Sequence, residues 1–326
     1  MKNEFLTPSE AASRILAGDV MAIAGSEQAL SQLPKGRWIG GTTVYFMTAE
    51  QGGVVDHDHL FCTTFAHVAN AQPRHLPNDQ MHRLTEGYLD NGFTMILIPG
   101  FSQALAQFAK DSARFPGLYA QPLAGWIAGV HLDDVGRVAP RVFDGSTGQS
   151  HDEGVALLHV ALPGDRVVDL DIVNIFSPST QDTREITFPT DGFSATRAVV
   201  DGAEVDFADF LRKAGVDTRM PILADYAGAM INVSFHSVHD DHVQFYAPVQ
   251  PGVVYHLAAP VLDYSSAFDR HSADVAEGLS CNCILNFVHG QLQGRPAGGY
   301  VGPITFGEVA YMLLNQTLVK LDIRPA

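Results

Sequence analysis

Two stretches of the chain share one pattern of apolar and polar positions. Residues 20–33, VMAIAGSEQALSQL, and residues 94–108, TMILIPGFSQALAQF, each run through an apolar segment, break at glycine and continue with apolar positions at helical spacing. With one extra residue (Pro99) in the second stretch, Met21 falls on Met95, Gly25 on Gly100, and Gln28-Ala29-Leu30 on Gln103-Ala104-Leu105. Each predicts a buried strand, a glycine turn and a short helix. The two tryptophans follow at matching places, in GRWIGG (36–41) and AGWIAG (124–129), which predict glycine-rich strands. A fainter third copy closes the chain. There CNCILNFVHG (281–290) predicts a strand, 291–299 a glycine-rich passage, and GGYVGPITFGEVAY leads into LLNQTLVKLDI. Self-similarity of this kind marks a structural unit used more than once.

Other runs, HLFCTTF, RVFDG, GVALLHVAL and VVDLDIVNIF, are β-rich. Residues 203–215 predict an amphipathic helix with Val205, Phe207, Phe210 and Leu211 on its buried face. MINVSFHSV, VQFYAPV and VVYHLAA predict three strands, separated by HDD and by Gln250-Pro251-Gly252, and residues 262–277 predict a helix. The polar stretch PTDGFSAT suggests a division into 1–195 and 196–326. The expected class is α+β: mixed, largely antiparallel sheets with helices, built from repeated strand-helix-strand units in two pseudo-related halves.

Composition narrows the function. With 46% hydrophobic and 17% charged residues over 326 positions, the chain is globular. A formal charge of −16 without a Lys/Arg-rich run excludes nucleic acid and anionic membrane surfaces as expected partners. Three cysteines are too few for a disulfide framework. Thr7-Pro8-Ser9-Glu10 reads as a helix start rather than part of a signal peptide, and no apolar run is long enough for a membrane helix, so a cytoplasmic location is expected.

GFSQA (100–104) has the outline of a hydrolase nucleophile elbow. The repeat argues against that role, because Ser102 falls on Glu27 while the shared residues are those of the fold. His57 and His59, and His236, His239 and His242, lie among aspartates and offer ligands for a transition metal or haem; as exposed turns they need neither. Cys281 and Cys283 share one strand face and read first as small buried hydrophobes. The glycine strands are the leading site. Gly40, Gly41, Gly129, Gly298 and Gly299 permit close approach, and Trp38, Thr42, Thr43, Trp126, Asp133, Asp134, Thr305 and Glu308 add aromatic and polar groups. Those carboxylates would favour an amine-bearing ligand, whose anionic end could meet the helix starts near Gly25 and Gly100.

Several of these segments resemble the FIST sensory domains. IGGTT (39–43), PLAGWIAGVHLDD (122–134) and RVFDG (141–145) are similar to the amino-terminal FIST domain. APVQPGVVYHLA (247–258), the cysteine strand at 280–283, GPITFGEVAY (302–311) and LLNQTLV (313–319) are similar to the carboxyl-terminal one. The resemblance implies a sensor of small, amino-acid-like metabolites in signal transduction, working through a separate partner protein. Its alternatives are an enzyme using the same cleft, with Cys281 or His131, Asp133 and Asp134 in catalysis, and a haem- or metal-binding sensor.

Overall fold

The computed structural model describes residues 1–226, 228–271 and 278–326. Its class is α+β, with mixed and antiparallel sheets. Three of the sheets are built to one plan. The first unit supplies Lys2–Leu6, Val20–Gly25, Arg37–Thr42 and Leu60–Thr64. The second supplies Asn70–Leu76, Gly92–Pro99, Leu123–Ala128 and Val155–Ala161, and the third Arg166–Val173, Leu279–Cys283, Gly302–Thr305 and Leu318–Pro325. Within each unit the four strands lie in the order first, fourth, second, third. The second and third strands are parallel, joined across Glu27–Leu30, Gln103–Asp111 or Ile284–His289; the other pairings are antiparallel. The repeat legible in the sequence is therefore the centre of a unit that occurs three times.

Each unit sends a hairpin away. The strands Tyr45–Thr48 and Gly52–Val55, from the first unit, complete the sheet of the third. Val142–Asp144 and Gln149–His151, from the second, complete the first, while Glu308–Ala310 and Met312–Leu314, from the third, complete the second. The three sheets are thus closed by a cyclic exchange, and each hairpin covers an edge that would otherwise expose unpaired backbone groups.

Between the first two strands of a unit the chain carries the helix Pro8–Leu16, the 3₁₀ segment Asn78–Gly87 or, in the third, a long insertion. The insertion forms a six-stranded antiparallel sheet from residues 186–257 and a three-stranded one of Gly192–Ala195, Val243–Val249 and Phe235–Val238. One of its helices, Phe207–Ala214, starts on an Asp206 cap and stops at left-handed Gly215. Phe188, Phe207 and Tyr255 of the insertion share one core with Ile96, Phe108 and Leu157 of the second unit.

Some expected elements differ in extent. The run 281–290 is not one strand: it ends at Cys283 and turns into the helix Ile284–His289, which makes the third copy match the other two. The helix expected over 203–215 begins only at Phe207, because Ala203–Asp206 pairs with Arg197–Val200 as a hairpin. Of the helix expected over 262–277, Tyr264–Asp269 is helical, and 272–277 lie outside the described residues. The division expected at 195/196 falls between Gly192–Ala195 and Arg197–Val200, and sheets bridge it, since Glu308–Ala310 and Leu318–Pro325 pair with strands preceding residue 174.

Strand spacing explains two of the glycines. A Cβ on Gly125 would lie 1.7 Å from the Ile96 carbonyl oxygen, and one on Gly302 would lie 1.8 Å from that of Ser280, in each case on the neighbouring parallel strand. Backbone cannot yield as a flexible side chain can, so Gly302→Ala is expected to destabilise the protein by about 3 kcal/mol or more in urea unfolding. Gly164, with nothing within 4 Å of such a Cβ, is the control, and Gly164→Ala should change stability by less than about 1 kcal/mol.

Candidate functional site

The residues of the glycine strands come together, but as packing. Trp38 is buried, donates its indole N–H to the Pro34 carbonyl (2.9 Å) and stacks on Phe143. A Cβ on Gly40 would meet the Trp38 ring at 2.9 Å, one on Gly41 the Trp126 indole nitrogen at 2.7 Å, and one on Gly129 the Phe306 ring at 2.3 Å. The threonines hold the places where the units cross. Thr42 Oγ1 accepts the Arg141 N–H (2.9 Å), Thr43 Oγ1 donates to the Ile304 carbonyl (2.7 Å), and Thr305 Oγ1 donates to that of Gly307 (3.0 Å). Gly298 and Gly299 have φ of +60° and +75°, the first packed against the Phe268 carbonyl. At Gly41 and Gly129 the space beside the strand is filled by side chains of neighbouring units, and at Gly40 by Trp38 and Leu30 of its own unit.

Glu308 lies in the same interior, opposite Trp126 on the adjacent strand. Its Oε2 accepts the Thr317 hydroxyl (2.8 Å), and its Oε1 has no partner. Burial pushes the carboxyl well above the usual carboxylate range, against the opposing pull of the Thr317 hydrogen bond. Cys281 and Cys283 are buried nearby and their thiols are likewise driven up, first by burial and then by Glu308. A thiol held protonated in this way is a poor nucleophile, which counts against Cys281 as a catalytic residue. His131 lies 3.6 Å from the exposed Asp133 and stacks on Tyr45, while Asp134 pairs with Arg137 at 3.1 Å. His131 precedes the 3₁₀ turn Leu132–Asp134, which carries Asp133 and Asp134 and has no buried residue, whereas the cysteines lie on a buried strand.

The anion site expected at the second unit's helix is already taken: the Glu153 carboxylate accepts the N–H groups of Gln103 (3.0 Å) and Ala104 (3.2 Å). Ser102 is the cap of that helix. Its hydroxyl donates to the Pro99 carbonyl and accepts the Leu105 N–H, as Ser26 accepts that of Ala29 in the first unit. By its role, therefore, Ser102 corresponds to Ser26 and not to Glu27.

The histidine clusters do not converge. His59 pairs with Asp56, His242 with Asp241 and the His239 ring, and His57 lies 5.9 Å from the ring of His131. Among the described residues, no three His, Cys, Asp or Glu side chains are placed to hold a metal ion.

A cavity of about 710 Å³ opens instead between the second unit, the third unit and the insertion. The second unit contributes Gly100, Phe101, Leu105 and Ala106 at its helix start, with Leu132 and Val135. The third contributes Ile284, Leu285, Val288 and His289 of its helix, then Phe306 and the segment 313–315. The insertion adds Phe193, Ser194, His236, Gln244, Phe245 and Tyr246. Phe101, Leu132, Val135 and Val288 are exposed at the rim, and Phe101, at φ +62°, sets its ring edge-on to Phe306. The polar groups are few. His236 Nδ1 lies 3.1 Å from Gln244 Oε1, and burial, reinforced by Arg219, lowers the pKa of His289. Among the described lining residues none is Lys, Arg, Asp or Glu, so the carboxylates expected to attract an amine are not here.

Of the residues singled out from the sequence, Gly100, Ser102 and His236 line this cavity; Trp38, Trp126, Glu308 and the glycine pairs do not. The segment LLNQTLV does contribute, through Leu313, Leu314 and Asn315. Two signals for the rest stood in the sequence: ILNFVH is apolar around most of its circumference, and Phe101 follows a turn glycine where a polar residue is usual.

Glu308 gives a pH signature. The contribution of its neutral carboxyl is full below the unfolded-state pKa and is lost as pH rises through the raised folded-state value. Glu308→Gln is therefore expected to gain stability relative to the native protein between pH 5 and pH 8, by up to about 1.4 kcal/mol per pH unit, measured by urea unfolding at both ends.

No helix among the described residues is long and apolar enough to cross a membrane. No curated protein matches the chain. Residues 6–324 match the model of a family described as one of unknown function (DUF6976), and the chain belongs to that family.

Proposed function

We propose that this protein binds a small, mainly apolar metabolite in the cavity between its second unit, third unit and insertion, and passes the state of that site to a separate partner protein. The observation that carries the reading is the cavity itself: about 710 Å³, walled by aromatic and aliphatic side chains, with a few polar groups and no Lys, Arg, Asp or Glu among its described lining residues. Binding sites for small molecules have this character, an apolar body with a few placed hydrogen-bonding groups. Three separate stretches of chain meet there, so a ligand would bridge the helix of one unit, the helix of another and the inserted sheet. Binding then stabilises that arrangement by mass action, which is how occupancy becomes a conformational signal. The resemblance of GPITFGEVAY and LLNQTLV to FIST sensory domains points to the same class of function. The apolar walls replace the amine-bearing, amino-acid-like ligand expected from the sequence with a more hydrophobic one.

Nile red, an uncharged dye that brightens in apolar surroundings, tests the site. The native protein should bind it with a blue-shifted emission. Ala106 lines the cavity from an exposed helix position, so Ala106→Trp should occlude the space while leaving stability within about 0.5 kcal/mol. Loss of the dye signal in that variant supports the cavity; equal binding by both proteins overturns it.

A further inference from the structure

The two sides of the cavity differ in chemistry. The helix side is apolar, through Leu105 and Ala106 of Gln103–Asp111 and Ile284, Leu285 and Val288 of Ile284–His289. The three-stranded sheet carries polar side chains. Along Val243–Val249 burial alternates: Val243, Phe245, Ala247 and Val249 are buried, while Gln244, Tyr246 and Pro248 take the other face. Ser194 and Ser237 pair with Gln244 across the sheet and so share that face, and His236 sets its ring edge-on to Tyr246 at 5.0 Å. Ser194, His236, Gln244 and Tyr246 all line the cavity.

Two polar ends on this side are unspent and accessible. Gln244 Oε1 accepts the Ser237 hydroxyl (3.0 Å) and lies 3.1 Å from His236 Nδ1, but its Nε2 has no partner among the described residues. The Tyr246 phenol has none there either. Both side chains are half-buried, and neither polar end is among the sealed, unpaired atoms of the interior, so each keeps open surface on a residue that lines the cavity. Burial, with the Cys283 thiol adding to it, raises the pKa of the Tyr246 phenol. The phenol therefore stays protonated, able to donate one hydrogen bond and to accept others. Cys283 directly precedes the lining residue Ile284, so the phenol lies within electrostatic reach of the start of the facing helix.

We infer that the Tyr246 hydroxyl is the polar anchor of the cavity, and that its ligands are mainly apolar molecules carrying an uncharged hydroxyl group, an alcohol or a phenol. This rests on the cavity being the binding site. A ligand hydroxyl donates and accepts, as the Tyr246 phenol does, and the free amide hydrogens of Gln244 offer a second donor on the same face. A hydrocarbon of the same shape fills the apolar side but strips water from these groups without replacing it. A carboxylate or ammonium would meet no Lys, Arg, Asp or Glu among the described lining residues, and burying an unpaired charge is costly.

Benzhydrol and diphenylmethane, which differ by one hydroxyl, make the test, each titrated against bound Nile red. The native protein should bind benzhydrol about tenfold more tightly, the equivalent of one buried hydrogen bond. The Tyr246 hydroxyl bonds to nothing among the described residues, so Tyr246→Phe should unfold at the same urea concentration as the native protein. In that variant the preference should fall to about twofold while diphenylmethane binds as before. Equal displacement by the two probes, or a Tyr246→Phe variant that keeps the full preference, overturns the anchor and leaves the cavity standing. Nile red that binds but is displaced by neither probe does the same. If Nile red itself does not bind, the cavity and its anchor fall together.

Discussion

The exchange of hairpins between the three units is the constraint on which the rest of the structure depends. In each sheet the third strand of a unit would be an open edge, and the hairpin that covers it belongs to a different unit: Tyr45–Val55 serves the third, Val142–His151 the first and Glu308–Leu314 the second. A covered edge cannot recruit another chain. The same arrangement leaves no unit complete by itself, because its last sheet position is supplied from far away in sequence. The amino-terminal unit, for example, is closed by residues 142–151.

Where the chain passes from one sheet to the next, backbones come very close, and the composition there reflects it. Gly41 lies against Trp126 and Gly129 against Phe306, while Thr42, Thr43 and Thr305 tie loose backbone groups at the crossings. Buried backbone polar groups need partners, and short hydroxyl side chains provide them in little space. Glu308 sits at the end of one such crossing as a buried carboxyl bonded to Thr317. It is an interior polar group of the scaffold, set opposite Trp126, and it does not face the cavity.

The cavity arises from asymmetry. The first two units place Pro8–Leu16 or Asn78–Gly87 between their first and second strands; the third carries the insertion there, with two sheets of its own. The cavity lies between its three-stranded sheet and the helices of the second and third units and is lined from both sides. Function in this reading belongs to the place where the repetition is broken.

The amino-acid pattern by itself determined the repeated element. Apolar runs at 20–25 and 94–99 give buried parallel strands, the serines after them cap short helices, and Ala203-to-Gly215 carries its helix stop in the right place. These are local matters of periodicity, capping and turn geometry, set by neighbours a few residues apart. Tertiary structure decided what the local pattern could not. A glycine beside a tryptophan has the same appearance whether it borders a pocket or a packed strand, and only the partner across the crossing, such as Trp126 over Gly41, distinguishes the two. Likewise Asn315 stands in the sequence as one polar residue among several. Its orientation is set by Ser234, more than eighty positions earlier, whose backbone N–H donates to Oδ1.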